Sequence, residues 1–324
     1  MTRVAAVDCG TNSIRLLVAD LPAAGTTAPG APLVDVHRGM RVVRLGQGVD
    51  ATGRIADEAM ARTLAAVRDY AALCRELGVA RTRFVATSAS RDAENADVFV
   101  AGVREALGVE PEVVAGAEEA ALSFRGAATG VPPVGPDGAA LAAPFCVVDL
   151  GGGSTEVVLG DPAGDAPPAA LSVDVGCVRL TERHLAGDPP TAAQVAAARA
   201  DVDAALDRVE EVVPLATTGT LVGVAGSVTT ITAHALGLGA YEPARIHGAV
   251  LTVADVRAAC ADLLAMTREQ RAALPFMHPG RVDVIGAGAL VWDRVVERVA
   301  AAAGTTSVVT SEHDILDGIA LSLG

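Results

Sequence analysis

Apolar runs along this chain come in two kinds. Short ones of about six residues, rich in Val, Leu, Ile and Ala and bounded by Gly, Asp, Ser or Pro, have the pattern of buried strands. Longer tracts repeat Ala, Leu and Val at helical spacing with charged residues between them, the pattern of amphipathic helices. From the N-terminus, strands are predicted at 3–8, 14–20, 33–37 and 41–46, then a helix at 57–78. A strand at 83–87, a helix at 91–107, a strand at 112–115 and a helix at 117–125 complete the first half. The second half repeats the style, with strands at 145–150, 155–160, 221–225 and 307–310 and helices at 191–213, 254–265, 286–303 and 313–323. Strands mixed with helices in this way predict an α/β fold. From 126 to 144 runs "GAATGVPPVGPDGAALAAP", whose Gly and Pro content predicts a connection without regular structure, and the domain boundary is placed there.

One pattern occurs twice. "VDCGTNSIRLLVAD" begins at Val7 and "VDLGGGSTEVVLGD" at Val148. Asp8 and Asp149 lie 141 residues apart, and the same offset pairs Gly10 with Gly151, Ser13 with Ser154 and Leu17 with Val158 without a gap. An internal duplication on this scale predicts two similar lobes, each offering one Gly-rich hairpin to a ligand held between them.

In each copy a strand ends at an Asp and turns through Gly10, or through Gly151, Gly152 and Gly153. Small residues leave several backbone N–H groups unobstructed, and such nests of donors bind phosphate. Ser13, Ser154 and Thr155 add hydroxyl donors, and Asp8 or Asp149 at a strand end can hold Mg²⁺, a hard cation that takes oxygen ligands and keeps waters. A single copy would equally describe a plain hairpin with an Asp/Gly turn. Two copies in register favour the phosphate site. A third turn, "GVAGSVTTITA", places Gly226, Ser227 and Thr229 at the start of a helix, where free N–H groups and the helix dipole favour anions. "VATSASRDA" does the same, with Arg91 able to make charge-assisted bonds to phosphate; its alternative is a Ser-capped helix with an exposed Arg. Four such turns imply a polyanionic ligand.

"GAEEAALSFRG" offers two carboxylates at a helix start. Glu118 and Glu119 would suit the helix dipole with no further purpose, or one would face phosphate and deprotonate an attacking water. Glu156 stands where the first copy has Arg15, so opposite charges occupy equivalent sites, either flanking one phosphate and its metal or forming a surface pair. "VIGAGALVW" is a Gly turn into a helix, weak evidence of a nucleotide pocket by itself.

Composition narrows the classes. A length of 324 residues suggests two domains. A net charge of −14 argues against broad nucleic-acid binding, which draws on many Lys and Arg. All 25 basic residues are Arg, so a Walker A loop, which needs its Lys, is excluded. The five cysteines form no Cys-x-x-Cys pair, the six histidines show no metal-binding spacing, and no signal-peptide pattern follows Met1. These features predict a reduced, cytoplasmic setting. The stretch from 212 to 241 carries no formal charge, but its Gly, Pro and Thr residues divide it into strand, turn and helix rather than a membrane span.

Taken together, "VDCGTNSIRLLVAD", "ATSASRDA", "GAEEA", "VDLGGGSTEVVLG" and "GVAGSVTT" resemble the exopolyphosphatase and guanosine pentaphosphate phosphohydrolase family, in the superfamily of actin, sugar kinases and Hsp-type ATPases. The resemblance spans nearly the whole chain. It implies two ribonuclease-H-like lobes with a cleft, at 1–130 and 131–312, with the closing helix at 313–324 packed back on the first. It further implies Mg²⁺-dependent release of terminal phosphate by water, Mn²⁺ serving in place of Mg²⁺. The family's catalytic glutamate maps onto Glu119 rather than Glu118, and metal roles map onto Asp149 and Glu156, with Asp8 beside them. Phosphate contacts map onto Gly10, Asn12, Ser13, Ser88, Arg91, Gly151 to Thr155, Gly226 and Ser227. The resemblance stops short of the further C-terminal helical domains of long members, so weaker grip on very long chains and lower processivity are expected. A homodimer is implied by the same resemblance. The expected activity is hydrolysis of the terminal phosphoanhydride of polyphosphate, with guanosine pentaphosphate as the alternative substrate. A sugar-kinase-type phosphotransferase, an actin-like nucleotide-binding protein and a catalytically silent polyphosphate sensor are further alternatives.

Overall fold

The duplicated hairpin lies at the heart of each of two sheets. The computed structural model describes residues 1–21, 33–132, 134–135, 140–164 and 166–324. They divide into one unit of Met1–Gly130 with Asp314–Gly324 and another of Val131–His313.

In the first unit β1 (Thr2–Cys9) and β2 (Ser13–Leu21) form the antiparallel hairpin. The sheet continues through β3 (Val34–Val42) on one side and β4 (Arg81–Ala86) and β5 (Glu112–Val113) on the other, in the order β3-β2-β1-β4-β5. Its helices are α1 (Val49–Thr52), α2 (Asp57–Glu76), α3 (Ser88–Arg91), α4 (Ala96–Leu107) and α5 (Gly116–Gly130). Strand β1 is covered on both faces, which is why it reads as a continuous apolar run and not as an alternation. Ala5, Val7 and Cys9 pack with Met60, Val67 and Tyr70 of α2 and Phe99 of α4. Val4 and Ala6 form the opposite core with Leu17, Leu122, Ile315 and Ile319.

The second unit contains β6 (Phe145–Leu150), β7 (Thr155–Gly160), β8 (Ala169–Val173), β9 (Thr220–Val224), β10 (Val250–Thr252) and β11 (Ser307–Thr310). Its sheet order is β10-β11-β9-β6-β7-β8. Omitting β10, the order and sense of the strands repeat those of the first sheet: β8, β7, β6, β9 and β11 stand as β3, β2, β1, β4 and β5. The helices are α6 (Cys177–His184), α7 (Ala192–Val212), α8 (Ala225–Ala235), α9 (Pro243–Ile246), α10 (Val253–Ala265), α11 (Arg268–Ala272) and α12 (Ile285–Ala303). The closing helix α13 (Ile315–Leu321) belongs to the first unit, where it supplies Ile315, Leu316 and Ile319 to the core.

Several elements differ from the pattern. The strands expected at 33–37 and 41–46 are one edge strand, β3, since an edge tolerates the polar residues and glycine that suggested a turn. The helix expected at 91–107 is broken in two because the Asn95 side chain pairs with the Ile55 backbone, accepting from its N–H at 2.9 Å and donating to its carbonyl at 3.0 Å. Helix α5 continues to Gly130 through residues expected to be irregular. A side chain at Gly126 would collide with the Asp314 carbonyl and one at Gly318 with the Leu122 carbonyl, so these glycines let α5 and α13 cross backbone to backbone. Within the expected connection, residues 133 and 136–139 lie outside the described residues. The uncharged stretch from 212 to 241 resolves into β9 and α8, and among the described residues no helix is long and apolar enough to cross a membrane.

Candidate active site

Because β4 runs parallel to β1 and β9 parallel to β6, each unit brings two of the four predicted turns to the carboxyl end of adjacent strands. Open α/β sheets bind ligands at that end. In the first unit, the Gly10 N–H donates to the Ser13 carbonyl at 3.0 Å, closing the turn, and Asn12 presents its carbonyl to the amides of Val43 and Arg44. Thr87 donates its N–H to the Cys9 carbonyl at 3.2 Å, and the Thr11 and Ser88 hydroxyls are 2.9 Å apart. The Gly10–Ser13 turn and the turn holding Ser88 and Arg91 therefore touch, as two parallel strand ends require.

The neighbouring glutamates diverge. Glu118 is half exposed and pairs with Arg83 at 2.7 Å, whereas Glu119 is buried and its Oε2 accepts from Arg91 Nη1 at 3.1 Å. Arg91 Nη1 also donates to the Val114 carbonyl at 3.0 Å. Two residues the sequence assigned to separate motifs thus form one acid–base pair, joining α3 to the first turn of α5.

Asp8 is buried opposite Arg15 in the hairpin register. Arg15 donates Nε and Nη2 to Asp8 Oδ2 at 2.9 and 2.8 Å. Burial pushes the Asp8 carboxyl up from its ordinary value; Arg15 opposes that shift and the nearby Asp314 reinforces it. The carboxylate is held first by a guanidinium.

The second hairpin closes in the same way, with the Gly151 N–H donating to the Ser154 carbonyl at 3.0 Å. Its turn is built into the start of α6. The Gly151 carbonyl accepts from the Cys177 amide at 3.0 Å and the Gly152 carbonyl from the Val178 amide at 2.8 Å. A Cβ on Gly176 would lie 2.5 Å from the Gly152 carbonyl oxygen, so that position must be bare. The Thr155 hydroxyl donates to the Val175 carbonyl at 2.6 Å, which commits it to the backbone, while Ser154 is buried within the turn.

Asp149 and Glu156 stand directly opposite each other in β6 and β7, both buried, and Ser172 donates to Glu156 Oε1 at 2.7 Å. Like charges facing across a strand pair repel, so a cation bound between these carboxylates would stabilise them. Magnesium is ordinarily held by one or two carboxylates together with waters and substrate phosphates, and Asp149 with Glu156 offers that donor set. Among the described residues no group of three or more His, Cys, Asp or Glu could hold a metal ion without such help. Asp8, already bonded to Arg15, fits a metal less well.

At the third turn Ala225, the first residue of α8, adopts a left-handed backbone, φ 70°, directly after β9. A non-glycine there is strained, and such strain is commonest at functional sites. Arg281, which the sequence did not single out, lays its guanidinium against the bare Cα of Gly226 and donates Nη1 to Thr230 Oγ1 at 3.1 Å. Ser227 is buried beneath Gly288, whose Cβ would lie 2.6 Å from its hydroxyl, so the glycine of "VIGAGALVW" serves this turn. Tyr241 contacts the Thr229 and Glu312 side chains at 2.8 and 2.7 Å. Neither Arg281 nor Tyr241 has a periodic or motif signal; only proximity reveals them. All five cysteines are free and buried.

The same architecture is known in solved proteins. The chain is 46% identical to an exopolyphosphatase-like protein of known crystal structure, with a TM-score of 0.91 over 100% of this chain and 98% of that one. The Aquifex aeolicus PPX-GPPA enzyme is 28% identical, with a TM-score of 0.78 and 99% coverage of both chains, and places the fold in the actin-like ATPase class. Exopolyphosphatase 2 of Mycobacterium tuberculosis is 53% identical over 328 residues, covering 100% of this chain and 99% of the relative. The model of the Ppx/GppA phosphatase family matches residues 25–323, and with this full-length likeness the chain belongs to that family.

Proposed function

We propose that this protein is an exopolyphosphatase, a hydrolase of the terminal phosphoanhydride of inorganic polyphosphate. The observation that carries the proposal is the 53% identity to Exopolyphosphatase 2 over the whole length of both chains. The arrangement of the turns supports it. Glu119, buried and oriented by Arg91, is the general base: it takes a proton from water as the water oxygen bonds to the terminal phosphorus. The phosphorus–bridging oxygen bond breaks, the chain departs with that oxygen, and the terminal group leaves as orthophosphate. Asn12, Ser13, Ser88, Gly152, Gly153, Ser154, Gly226 and Ser227 would supply donors to phosphate oxygens through backbone N–H groups and hydroxyls, while the Gly10 and Gly151 amides close the turns that present them. Thr155 supports its loop through Val175. Asp149 and Glu156 would hold Mg²⁺, or Mn²⁺, which supplies charge neutralisation to the phosphoryl oxygens.

An acidic protein of net charge −14 acting on a polyanion is consistent, because charges beyond ~8 Å are screened at physiological salt and local donors decide binding. Phosphate release from short and long polyphosphate, guanosine pentaphosphate and ATP, with Mg²⁺ and with chelator, tests the proposal in wild type and Glu119→Gln. Release from polyphosphate that falls by about 100-fold or more in Glu119→Gln is expected, the scale of losing a catalytic proton acceptor. Preference for guanosine pentaphosphate would move the substrate within the family. ATP as the sole substrate would favour a kinase or nucleotide-binding protein.

A further inference from the structure

Arg15 is held from two sides. Besides its bonds to Asp8 Oδ2, it donates Nη1 to Oδ2 of Asp314, a residue almost 300 positions later in the chain. Asp314 is the N-cap of α13, its Oδ1 accepting from the Leu316 amide at 3.0 Å. Its carbonyl abuts Gly126 of α5, the helix that carries Glu119. One buried residue thus touches both the first Gly-rich hairpin and the helix of the proposed base.

Neither capping nor docking requires a charge at this position. Asn caps a helix as well as Asp does, and the docking of α13 rests on Ile315, Leu316 and Ile319. Burying a second carboxylate on one guanidinium carries a desolvation cost that an apolar or amide side chain would avoid. What the charge adds is orientation: a planar guanidinium gripped by carboxylates at both ends has one setting, and both of its bonds to Asp8 fall on a single oxygen. Asp8 Oδ1 is thereby left for contacts beyond the pair.

We propose that Asp314 is a positioning residue: it fixes Arg15 and, through Arg15, the Asp8 carboxylate at the base of the Gly10–Ser13 turn. The inference rests on the phosphate-binding role proposed for that turn. Asp314→Asn retains the cap and the packing while removing the charge. The test is a double-mutant cycle with Arg15→Met, read in kcat/KM for tripolyphosphate and in tripolyphosphate binding by calorimetry.

In the wild-type background Asp314→Asn is expected to lower kcat/KM at least tenfold and weaken binding at least fivefold; in the Arg15→Met background it changes both less than twofold. A merely structural role predicts equal losses in the two backgrounds, and that result overturns the proposal, as does an Asp314→Asn enzyme within twofold of wild type. If Asp314→Asn does not fold, Asp314→Ser, which also caps, replaces it in the same cycle. Wild type that binds tripolyphosphate with the predicted coupling yet releases no phosphate would refute the proposed function and leave the positioning intact.

Discussion

The two hairpins share a turn closure, a register and an aspartate, yet they solve the charge of that aspartate in different ways. In β1–β2 the residue opposite Asp8 is Arg15, so the acid is neutralised inside the protein. In β6–β7 the residue opposite Asp149 is Glu156, so two acids face each other and a bound cation would stabilise the pair. At this cross-strand position the duplicated backbones have diverged into a pair with opposite charges and a pair of carboxylates that would gain from a cation. The lesson is that the turn determines where donors lie, while the cross-strand partner determines what else can bind.

The sharpest way to break this contrast is to convert one hairpin into the other. Glu156→Arg should pair with Asp149 as Arg15 does with Asp8, abolishing calorimetric Mg²⁺ binding and lowering Mg²⁺-dependent phosphate release by about 100-fold or more, the scale of losing one preorganised electrostatic contact. Undiminished Mg²⁺ binding would show that the metal lies elsewhere.

A second difference is that only the Gly151–Ser154 turn is embedded in a helix start through Gly176. Gly176→Ala should lower stability by about 2–3 kcal/mol, the upper range for overpacking against backbone, seen as a fall in thermal midpoint. A neutral result would mean that the Gly152 carbonyl moves freely. Position 155 separates the hairpins next, since the 141-residue offset places Ile14 there in the first copy. Thr155→Ile removes the donor to the Val175 carbonyl and should cost about 1 kcal/mol in denaturant unfolding, the net value of one hydrogen bond. The smallest expected effect distinguishes the two turn glycines. A Cβ on Gly151 would lie 3.0 Å from the Ser154 carbonyl, whereas one on Gly10 would lie 3.7 Å from that of Ser13. Gly151→Ala should therefore be less stable than Gly10→Ala by about 0.5–1 kcal/mol, and equal midpoints would contradict the difference in crowding.

Much of this fold was visible in residue order. The central strands 145–150 and 155–160 and the strand at 307–310 coincide with β6, β7 and β11, because strands covered on both faces need uninterrupted apolar runs. Short or exposed elements such as β3 and β8 escaped or were misdrawn, since an edge strand need satisfy only part of that pattern. The glycines of α5 read as a helix end when they are the seat of a helix crossing. At the candidate site, Glu119 and Arg91 were each recognisable in their motifs, but nothing in the spacing joined them. Arg281 had no signal at all.

The sequence by itself determined that two Gly-rich hairpins with strand-terminal acids exist, because a gapless repeat of hydrophobic and small residues encodes the local backbone of both copies. Only the tertiary structure decided the partners: Arg15 with Asp8 and Asp314, Arg91 with Glu119, and Arg281 on Gly226. Local patterning follows from the bonds a segment makes with itself, whereas a charged side chain's partner depends on which distant backbone is folded within a few ångströms, and no short-range periodicity records that.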